Sequence, residues 1–476
     1  MSGSSSSLDA SSTANLDNKN PFETGLAGRR RKAAVTLTAV WGGTVFLHLV
    51  PGGYWLIASL SALVGIHLVK ALFTPIAALP EPLGEDAEHP FISLLVAAKN
   101  EEAVVAGLVK NLCTLDYPTE HYDVWLIDDS STDNTAAILD RLSQTYPNLN
   151  VIHRPAGSGG GKSGALNEVW PLTQAEIMAV FDADAQVPAD LLRRVVPLFD
   201  QANVGAVQVR KAIANAPVNF WTRAQAGEML LDSYVQEKRI AIGGIGELRG
   251  NGQFVRRDAI QDCHGWNEET ITDDLDLTLR LHLNRWDVLH LAVPAVQEEG
   301  VTSAVGLWHQ RNRWAEGGYQ RYLDYWRLIA QNRLGTRKTI DMAIFWVIQY
   351  LVPTAALPDL LMAIARGRLP MLSLLTTLTT GFSLIGVTMG QRWLRAEPAE
   401  SSLALSPTGP RSPMQRLLAA AAVMVRSLRT TLYMLHWMLV IGSTAIRISI
   451  RPKRLKWVKT VHRGSSDTGD GLLIDV

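Results

Sequence analysis

Asp182 and Asp184 close an apolar run, Ile177-Met178-Ala179-Val180-Phe181, in a chain of 476 residues. Side chains at i and i+2 of an extended backbone point the same way, so the two carboxylates converge. Paired carboxylates suit one hard cation, magnesium or manganese, and such an ion ordinarily also holds a diphosphate. An isolated pair of this kind reads more readily as two solvated turn residues; its neighbours reverse that reading. Asp128-Asp129-Ser130-Ser131-Thr132-Asp133 crowds carboxylates and hydroxyls behind another apolar run, Val124 to Ile127. Thr272-Asp273-Asp274-Leu275-Asp276 reads as a threonine cap and an acidic first turn opening an amphipathic helix. One of those acids could be a general base, or all could simply stabilise the helix end. Trp308-His309-Gln310-Arg311-Asn312-Arg313-Trp314 gathers two arginines and two tryptophans in what reads as a turn-rich segment. An arginine fork suits a diphosphate, and an indole face suits a sugar or a lipid interface. Leu248-Arg249-Gly250-Asn251-Gly252-Gln253 offers small residues for close backbone approach.

The loop Gly157-Ser158-Gly159-Gly160-Gly161-Lys162-Ser163 comes near a P-loop but misses by one position. That motif needs a glycine at 156, where this chain has Ala156. A nucleotide triphosphatase is the alternative this loop raises, since an apolar strand ending in Asp182 imitates a second magnesium-binding element. The acidic loop at 128–133 and the apolar N-terminal hairpin have no role in such an enzyme. The more modest expectation is that Lys162 and nearby backbone N–H groups neutralise a phosphate, or that the glycines merely give a flexible loop.

Groups so scattered in sequence need a sheet to bring them together. Phe91 to Ala98 reads as a buried strand closing in Lys99-Asn100-Glu101-Glu102, followed by a helix through Leu112. A strand at Val124–Ile127, a helix at Ala136–Leu142, Val151-Ile152, a helix from Gly164, the central strand and a short strand at Val288–Val293 continue the alternation. Strand-helix alternation predicts a doubly wound, mostly parallel sheet, with ligands outside the carboxyl ends of its strands.

The flanks are of another kind. Residues 1–32 form a polar tail ending in Arg29-Arg30-Arg31-Lys32 and are expected to be disordered up to about 28. Apolar runs at Ala33–Val50 and Tyr54–Phe73 predict a membrane hairpin over 33–74, and the basic cluster assigns the following domain to the cytoplasm. A linker at 75–90 leads into the sheet domain, 91–335. Residues 336–450 hold three further apolar runs, Ile340–Ala365, Met371–Trp393 and Leu417–Ile450, with a polar loop at 395–413. Arg426 and Arg429 make the first half of the last run an interfacial helix. Three spans would carry the basic tail, 451–476, outside, whereas its lysines and arginines predict the cytoplasmic side; one run is then re-entrant or lies flat. Trp326, Trp346 and Trp437 are expected to seat the domain on the membrane surface.

Composition narrows the function. With 45 acidic and 45 basic residues the charges cancel, which gives no reason to propose nucleic acid as a partner. Cys113 and Cys263 make neither a disulfide framework nor a ligand cluster.

Asn100-Glu101, Asp128-Asp129, Lys162, Asp182-Ala183-Asp184, Thr272-Asp273-Asp274 and Gln310-Arg311-Asn312-Arg313-Trp314 occur in an order that resembles the membrane-bound family 2 glycosyltransferases. The resemblance covers about residues 90–320. It implies an α/β GT-A domain inserted between transmembrane helices, as in cellulose and hyaluronan synthases. The chain as a whole is most similar to the branch that glucosylates 1,2-diacylglycerol from UDP-glucose. By the same resemblance, Glu101 and Asp128 or Asp129 would hold the uridine and Lys162 would sit near the phosphates. Asp182 and Asp184 would form the donor site, with Asp184 the direct ligand of Mg2+ or Mn2+. Asp274 would be the general base, and Gln310, Arg313 and Trp314 would close over diphosphate and acceptor. Asp273 stands where the family commonly has a glutamate, which leaves open which of the two aspartates takes the proton. The implied partners are a UDP-sugar, a lipid acceptor and the bilayer. The rivals are a processive β-glycan synthase and a non-catalytic sugar-nucleotide binder.

Overall fold

A computed structural model describes residue 22 and residues 25–396 and 413–451. The expectations for the N-terminal tail up to residue 21, for the polar loop at 397–412 and for the basic tail from 452 lie outside the described residues. Helices α1 (Arg29–Leu49) and α2 (Gly53–Phe73) come first. Seven strands follow: β1 (Ile92–Ala98), β2 (Tyr122–Asp128), β3 (Leu149–His153), β4 (Ile177–Phe181), β5 (Val204–Ile213), β6 (Gln253–Arg256) and β7 (Asp287–Glu298). Between them run α3 (Val105–Leu112), α4 (Thr135–Ser143), α5 (Gly161–Val169), α6 (Leu191–Val195), α7 (Phe220–Ala241), α8 (Arg257–Asp262) and α9 (Asp273–Leu283).

The strands lie in the order β3-β2-β1-β4-β6-β5-β7, and β6 alone runs against its neighbours. Alternate side chains serve opposite faces. Leu94, Val96, Ala179 and Phe181 enter one core, while Leu95, Met178 and Val180 enter the other. Both faces are covered, which is why these strands read as continuous apolar runs. The order reverses between β1 and β4, so the carboxyl ends of β1, β2 and β4 open a crevice at a topological switch point.

Three local expectations are corrected. The strand expected over Val288–Val293 extends through Pro294 to Glu298; β7 is an edge strand, where a missing N–H is tolerated. The helix expected from Gly164 begins at Gly161, so Lys162 stands in its first turn. Residues 308–314 are not turn-rich: they lie in α10 (Ala304–Ala330), started by Ser303, whose hydroxyl accepts from the Gly306 N–H. In a helix Gln310, Arg313, Trp314 and Gly317 share one face.

After α10 come α11 (Thr336–Trp346), a π turn (Val347–Leu351), α12 (Val352–Ala365), α13 (Ser373–Ala396), α14 (Pro413–Met434) and α15 (His436–Ile450). Among the described residues four stretches are long and apolar enough to cross a membrane: Gly53–Phe73, Thr336–Ala365, Ser373–Leu394 and Pro413–Ile450. The last is bent at Leu435, between α14 and α15. Helix α1 is as long as α2 but less apolar, and its Arg29 is tied to Asp324 of α10.

The seam between sheet and apolar helices is electrostatic. Glu247, buried, accepts from Arg249 at 2.6 Å and Arg321 at 3.1 Å, with Arg239 at 3.3 Å. Arg249 also pairs with Asp232, and Arg239 with Asp341 of α11, which His67 of α2 meets at 3.2 Å. The guanidinium groups hold the Glu247 carboxyl well below the usual carboxylate range despite its burial. Removing one member strands the others in a low-dielectric seam. Glu247→Gln is therefore expected to cost about 3–5 kcal/mol, against at most about 1 kcal/mol for Asp190→Asn, whose partner Arg194 lies on the surface. Thermal unfolding of the detergent-solubilised chain measures both, and equal shifts would contradict the role given to Glu247.

Candidate active site

The loops behind β1 and β2 brace one another. The Asn100 side-chain oxygen accepts from the Thr132 N–H at 2.6 Å, and the Glu101 N–H donates to Thr135 at 2.8 Å. Glu101 is buried beside them. Asp128 has a protein partner on each oxygen, the Ser131 N–H and the His153 ring, both at 3.0 Å. Its bond raises the His153 pKa, against the effect of burial. Asp129 pairs with Arg154, a residue that sequence reasoning missed. Arg154 is buried, reaches Glu168 at 2.9 Å and donates to the Gly159 carbonyl at 2.8 Å, so it shapes the glycine loop from beneath. At Gly160, φ is 78° and an added Cβ would lie 2.4 Å from a Glu268 oxygen; the loop is fixed there and needs glycine.

Lys162 stands where the acids meet. Its ammonium donates to Asp182 at 2.6 Å. Burial opposes its charge, but Asp182, then Asp273 and Asp274, outweigh that and hold it above the usual lysine range. The Arg313 guanidinium is pushed down by burial and drawn back up by Asp182, which places it in the same field. The structure thus brings Lys162, Asp182, Asp273, Asp274 and Arg313 into one electrostatic group.

Asn251 lies in the small-residue stretch that the sequence singled out, but its partners were not legible there. Fully buried, it accepts from the Asp182 N–H at 3.2 Å and donates toward Glu298 at 3.4 Å. Gly250 and Gly252 on either side have φ of 86° and 70°. That loop lies between the Asp182 end of β4 and Asp274, since a Cβ on Gly250 would sit 3.4 Å from an Asp274 oxygen. Asp184 accepts from the Glu299 N–H at 2.9 Å.

The acids of α9 divide by environment. Asp276 is buried and saturated by Arg280, Tyr325 and Asn267, a structural anchor. Asp274 accepts one protein hydrogen bond, from the Leu275 N–H at 2.8 Å. Burial, then the neighbouring Asp273, push its carboxyl up to about 6. Asp273 has a buried oxygen without a partner. Thr272 occupies the N-cap position, yet its hydroxyl makes no capping bond.

On α10, Gln310 accepts from Arg311 at 2.8 Å. Arg311 is wholly buried, paired with Glu228, and stacked 4.1 Å from the Trp314 ring. Glu228 also accepts from Trp437 at 2.8 Å and Tyr433 at 3.1 Å. Trp437 therefore turns its N–H inward and is no headgroup anchor, a correction to its expected role. Trp346 is likewise partly buried, against Tyr350 and Val440, whereas Trp326 is half exposed.

Asp274 and Trp314 line the head of a cavity of about 370 Å³. The apolar helices contribute Leu68, Phe345, Ile348, Val352, Phe382 and Met438 to its lining, and the charged seam contributes Asp232, Arg239, Glu247, Arg249, Arg321 and Asp341. Among the described residues no three His, Cys, Asp or Glu side chains gather as a metal site. The oxygen donors of Asp182 and Asp184 nevertheless fit a hard ion that takes its other ligands from a diphosphate, and Asp182 already holds one cation, the Lys162 ammonium.

A family profile described as "Glycosyltransferase like family 2" matches residues 89–317. The β-monoglucosyldiacylglycerol synthase of Nostoc sp. is 57% identical over 442 residues, 92% of this chain and 90% of that protein. Its counterpart in Synechocystis sp. is 53% identical over 456 residues, covering 95% of this chain and 92% of that one. Among solved structures, a mannosyltransferase of Pyrobaculum calidifontis in complex with GDP-Man and Mn2+ covers 85% of this chain and 99% of its own, at 21% identity and a TM-score of 0.49.

The two halves of the site touch through Gly317, where a Cβ would lie 2.0 Å from the Thr272 hydroxyl. Gly317→Ala must part α10 from α9 and is expected to cost about 1–3 kcal/mol. Gly107→Ala, on the open face of α3 with nothing within 4 Å, should instead stabilise by about 0.5–1 kcal/mol. Melting curves of both variants against the parent chain distinguish close packing from helix propensity.

Proposed function

The chain belongs to glycosyltransferase family 2, as do its β-monoglucosyldiacylglycerol synthase relatives, and from that premise we propose that it transfers glucose from UDP-glucose to the free hydroxyl of 1,2-diacylglycerol. The product is the β-linked monoglucosyl lipid. The observation that carries this reading is the cavity, with a carboxylate base at its head and apolar helices for walls. A lipid brings its hydroxyl to such a base along the apolar part of the lining, with its tails against Phe345, Ile348, Phe382 and Met438.

Glu101 and Asp128 or Asp129 hold the uridine at the crevice between the strand ends. Lys162 and Arg313 face the diphosphate beside Asp182. Asp184 and Asp182 would hold magnesium or manganese, which when bound would supply neutralising charge to the departing diphosphate. Asp274 takes the proton from the acceptor hydroxyl as that oxygen bonds to the anomeric carbon. The bond from that carbon to the phosphate oxygen breaks, its electron pair leaves on UDP, and configuration inverts in one displacement. A carboxyl raised to about 6 is ionised at neutral pH yet more basic than an ordinary aspartate, which suits it to this task. Trp314 offers the acceptor an aromatic wall, held in place by Arg311. Gln310 closes the same helix face. The basic cluster at 29–32 keeps the sheet domain on the cytoplasmic side of its membrane.

Radiolabelled UDP-glucose supplied with magnesium and diacylglycerol in detergent should give a single-sugar lipid in the organic phase. Label found only in insoluble polymer would replace this reading by a processive β-glycan synthase, and no transfer at all would leave a binder. Asp274→Asn is expected to lower turnover by roughly 10²–10⁴-fold, and Arg313→Ala by on the order of a hundredfold. Activity requires ionised Asp274 and so should fall as pH drops through about 6. Asp273 raises that carboxyl, so Asp273→Asn should move the acid limb to lower pH while turnover persists. An inactive Asp273→Asn beside an active Asp274→Asn would reverse the assignment.

A further inference from the structure

The start of the helix that carries Asp274 is held from outside. Thr272 gives α9 no capping bond, and its hydroxyl is buried without a partner. The turn before it is anchored instead by side chains of α10. Gln320 accepts from the Ile271 N–H at 3.1 Å and from the Thr270 hydroxyl at 3.2 Å. Tyr325 donates to Asp276 at 2.7 Å.

Further anchors come from the segment ahead of α1, where the sequence predicts disorder up to about residue 28. Phe22 is instead buried, its ring edge-on to Tyr325 at 5.9 Å and 5.9 Å from the Arg280 guanidinium. Leu279 and Leu283 of α9 share its apolar cluster. At Gly25 the backbone presses on α10, since a Cβ there would lie 2.1 Å from the Asp324 carbonyl oxygen. Arg29 then forks. Its Nε and Nη2 donate to the two carboxylate oxygens of the buried Asp324 at 2.8 and 2.6 Å, and its Nη1 donates to the Glu269 carbonyl at 2.6 Å. One guanidinium thus ties α10 to the turn that leads into α9. Lys32 closes the segment on itself by donating to the Gly25 carbonyl at 2.5 Å.

Resting on the proposed role of Asp274, we propose that this segment is a strap that positions the base, with Phe22 and Arg29 as its positioning residues. Neither lines the cavity. Phe22 acts through Tyr325 and Arg280, two donors that fix Asp276 on the same turn as Asp274. Arg29 acts through the Glu269 carbonyl. A helix start without its own cap has few internal restraints, so its position follows its anchors. A base must lie within hydrogen-bond reach of the proton it takes, and misplacement by about 1 Å is enough to slow such a step by about a hundredfold. Glu101, Asp128 and Asp129, assigned to the uridine, stand behind β1 and β2, so donor binding does not pass through the strap. The strap runs on into α1, which packs along α12 and α15 and so links the apolar helices to the base.

The test compares the full chain in detergent with its Phe22→Ala and Arg29→Gln variants, using UDP-glucose and 1,2-dioleoylglycerol. Each variant should lose about 10- to 100-fold in kcat while KM for UDP-glucose stays within about twofold of the parent. Amide hydrogen exchange over residues 267–276 should quicken in both, and exchange over β2 should not. Arg29→Lys keeps a charge on Asp324 but cannot fork to the Glu269 carbonyl, and it should show the same pattern with a smaller loss of melting temperature. Variants that melt lower yet keep the parent kcat overturn the proposal, as do unchanged exchange over 267–276 and a loss of kcat matched by weakened UDP-glucose binding. A parent chain that makes no glucolipid would instead defeat the acceptor reading itself, so the two failures are distinguishable.

Discussion

A carboxylate shared among three guanidinium groups sets the geometry of this molecule. Glu247 meets Arg239 of α7, Arg249 beside Gly250 and Arg321 of α10, and Arg239 carries the connection on to Asp341 of α11. A polar sheet domain has to rest on helices that prefer lipid, and charges at such a seam are tolerable only when paired and hydrogen-bonded. Once they are paired, few arrangements of the helices satisfy them. Asp274 is thereby fixed at the head of a cavity whose walls belong to the apolar helices.

Within the site, environment rather than residue type assigns the roles. Asp274 and Asp276 share one turn of α9, yet Asp276 is saturated by protein donors while Asp274 accepts from the Leu275 N–H, which leaves it the capacity that the proposed base requires. Lys162 is the complement of that arrangement. Its ammonium supplies countercharge to Asp182, Asp273 and Asp274 at once, which allows three acids to crowd one mouth. The glycines at 160 and 252 let the backbone pack closely on Glu268 and on Val209 and Val296, and Gly250 brings its loop up to Asp274.

The sequence disclosed what is local and withheld what is distant. The parallel strands were legible because both faces are buried, which makes β1 and β4 continuous apolar runs. Strand β6 was not, because four residues that include Gln253 and Arg256 carry no period. The helical character of residues 308–314 was masked by charge, although Gln310, Arg313, Trp314 and Gly317 follow the i, i+3, i+4, i+7 spacing. Asp182, Asp184 and Asp274 could be singled out by type and position. Arg154, Asn251 and Glu247 could not, since their meaning lies in partners up to 74 residues away in the chain, although Asn251 stands in a stretch that its small residues singled out. Trp437 shows the opposite error: an indole near a membrane invites an anchoring role, but its N–H is spent on Glu228.

Apolar helices in a glycosyltransferase could serve only to hold it at a bilayer. On the proposed lipid-acceptor reading they also line the cavity that receives the acceptor, through Phe345, Ile348, Phe382 and Met438 beside Asp274 and Trp314. Membrane attachment and acceptor choice then share one structural cause. A water-soluble acceptor would have to desolvate its polar surface to enter, whereas a lipid gains by leaving no apolar surface exposed. Because the cluster of Glu228, Arg311, Tyr433 and Trp437 joins α7, α10, α14 and α15 directly behind Trp314, the seating of the C-terminal helices and the position of an active-site wall are one packing problem.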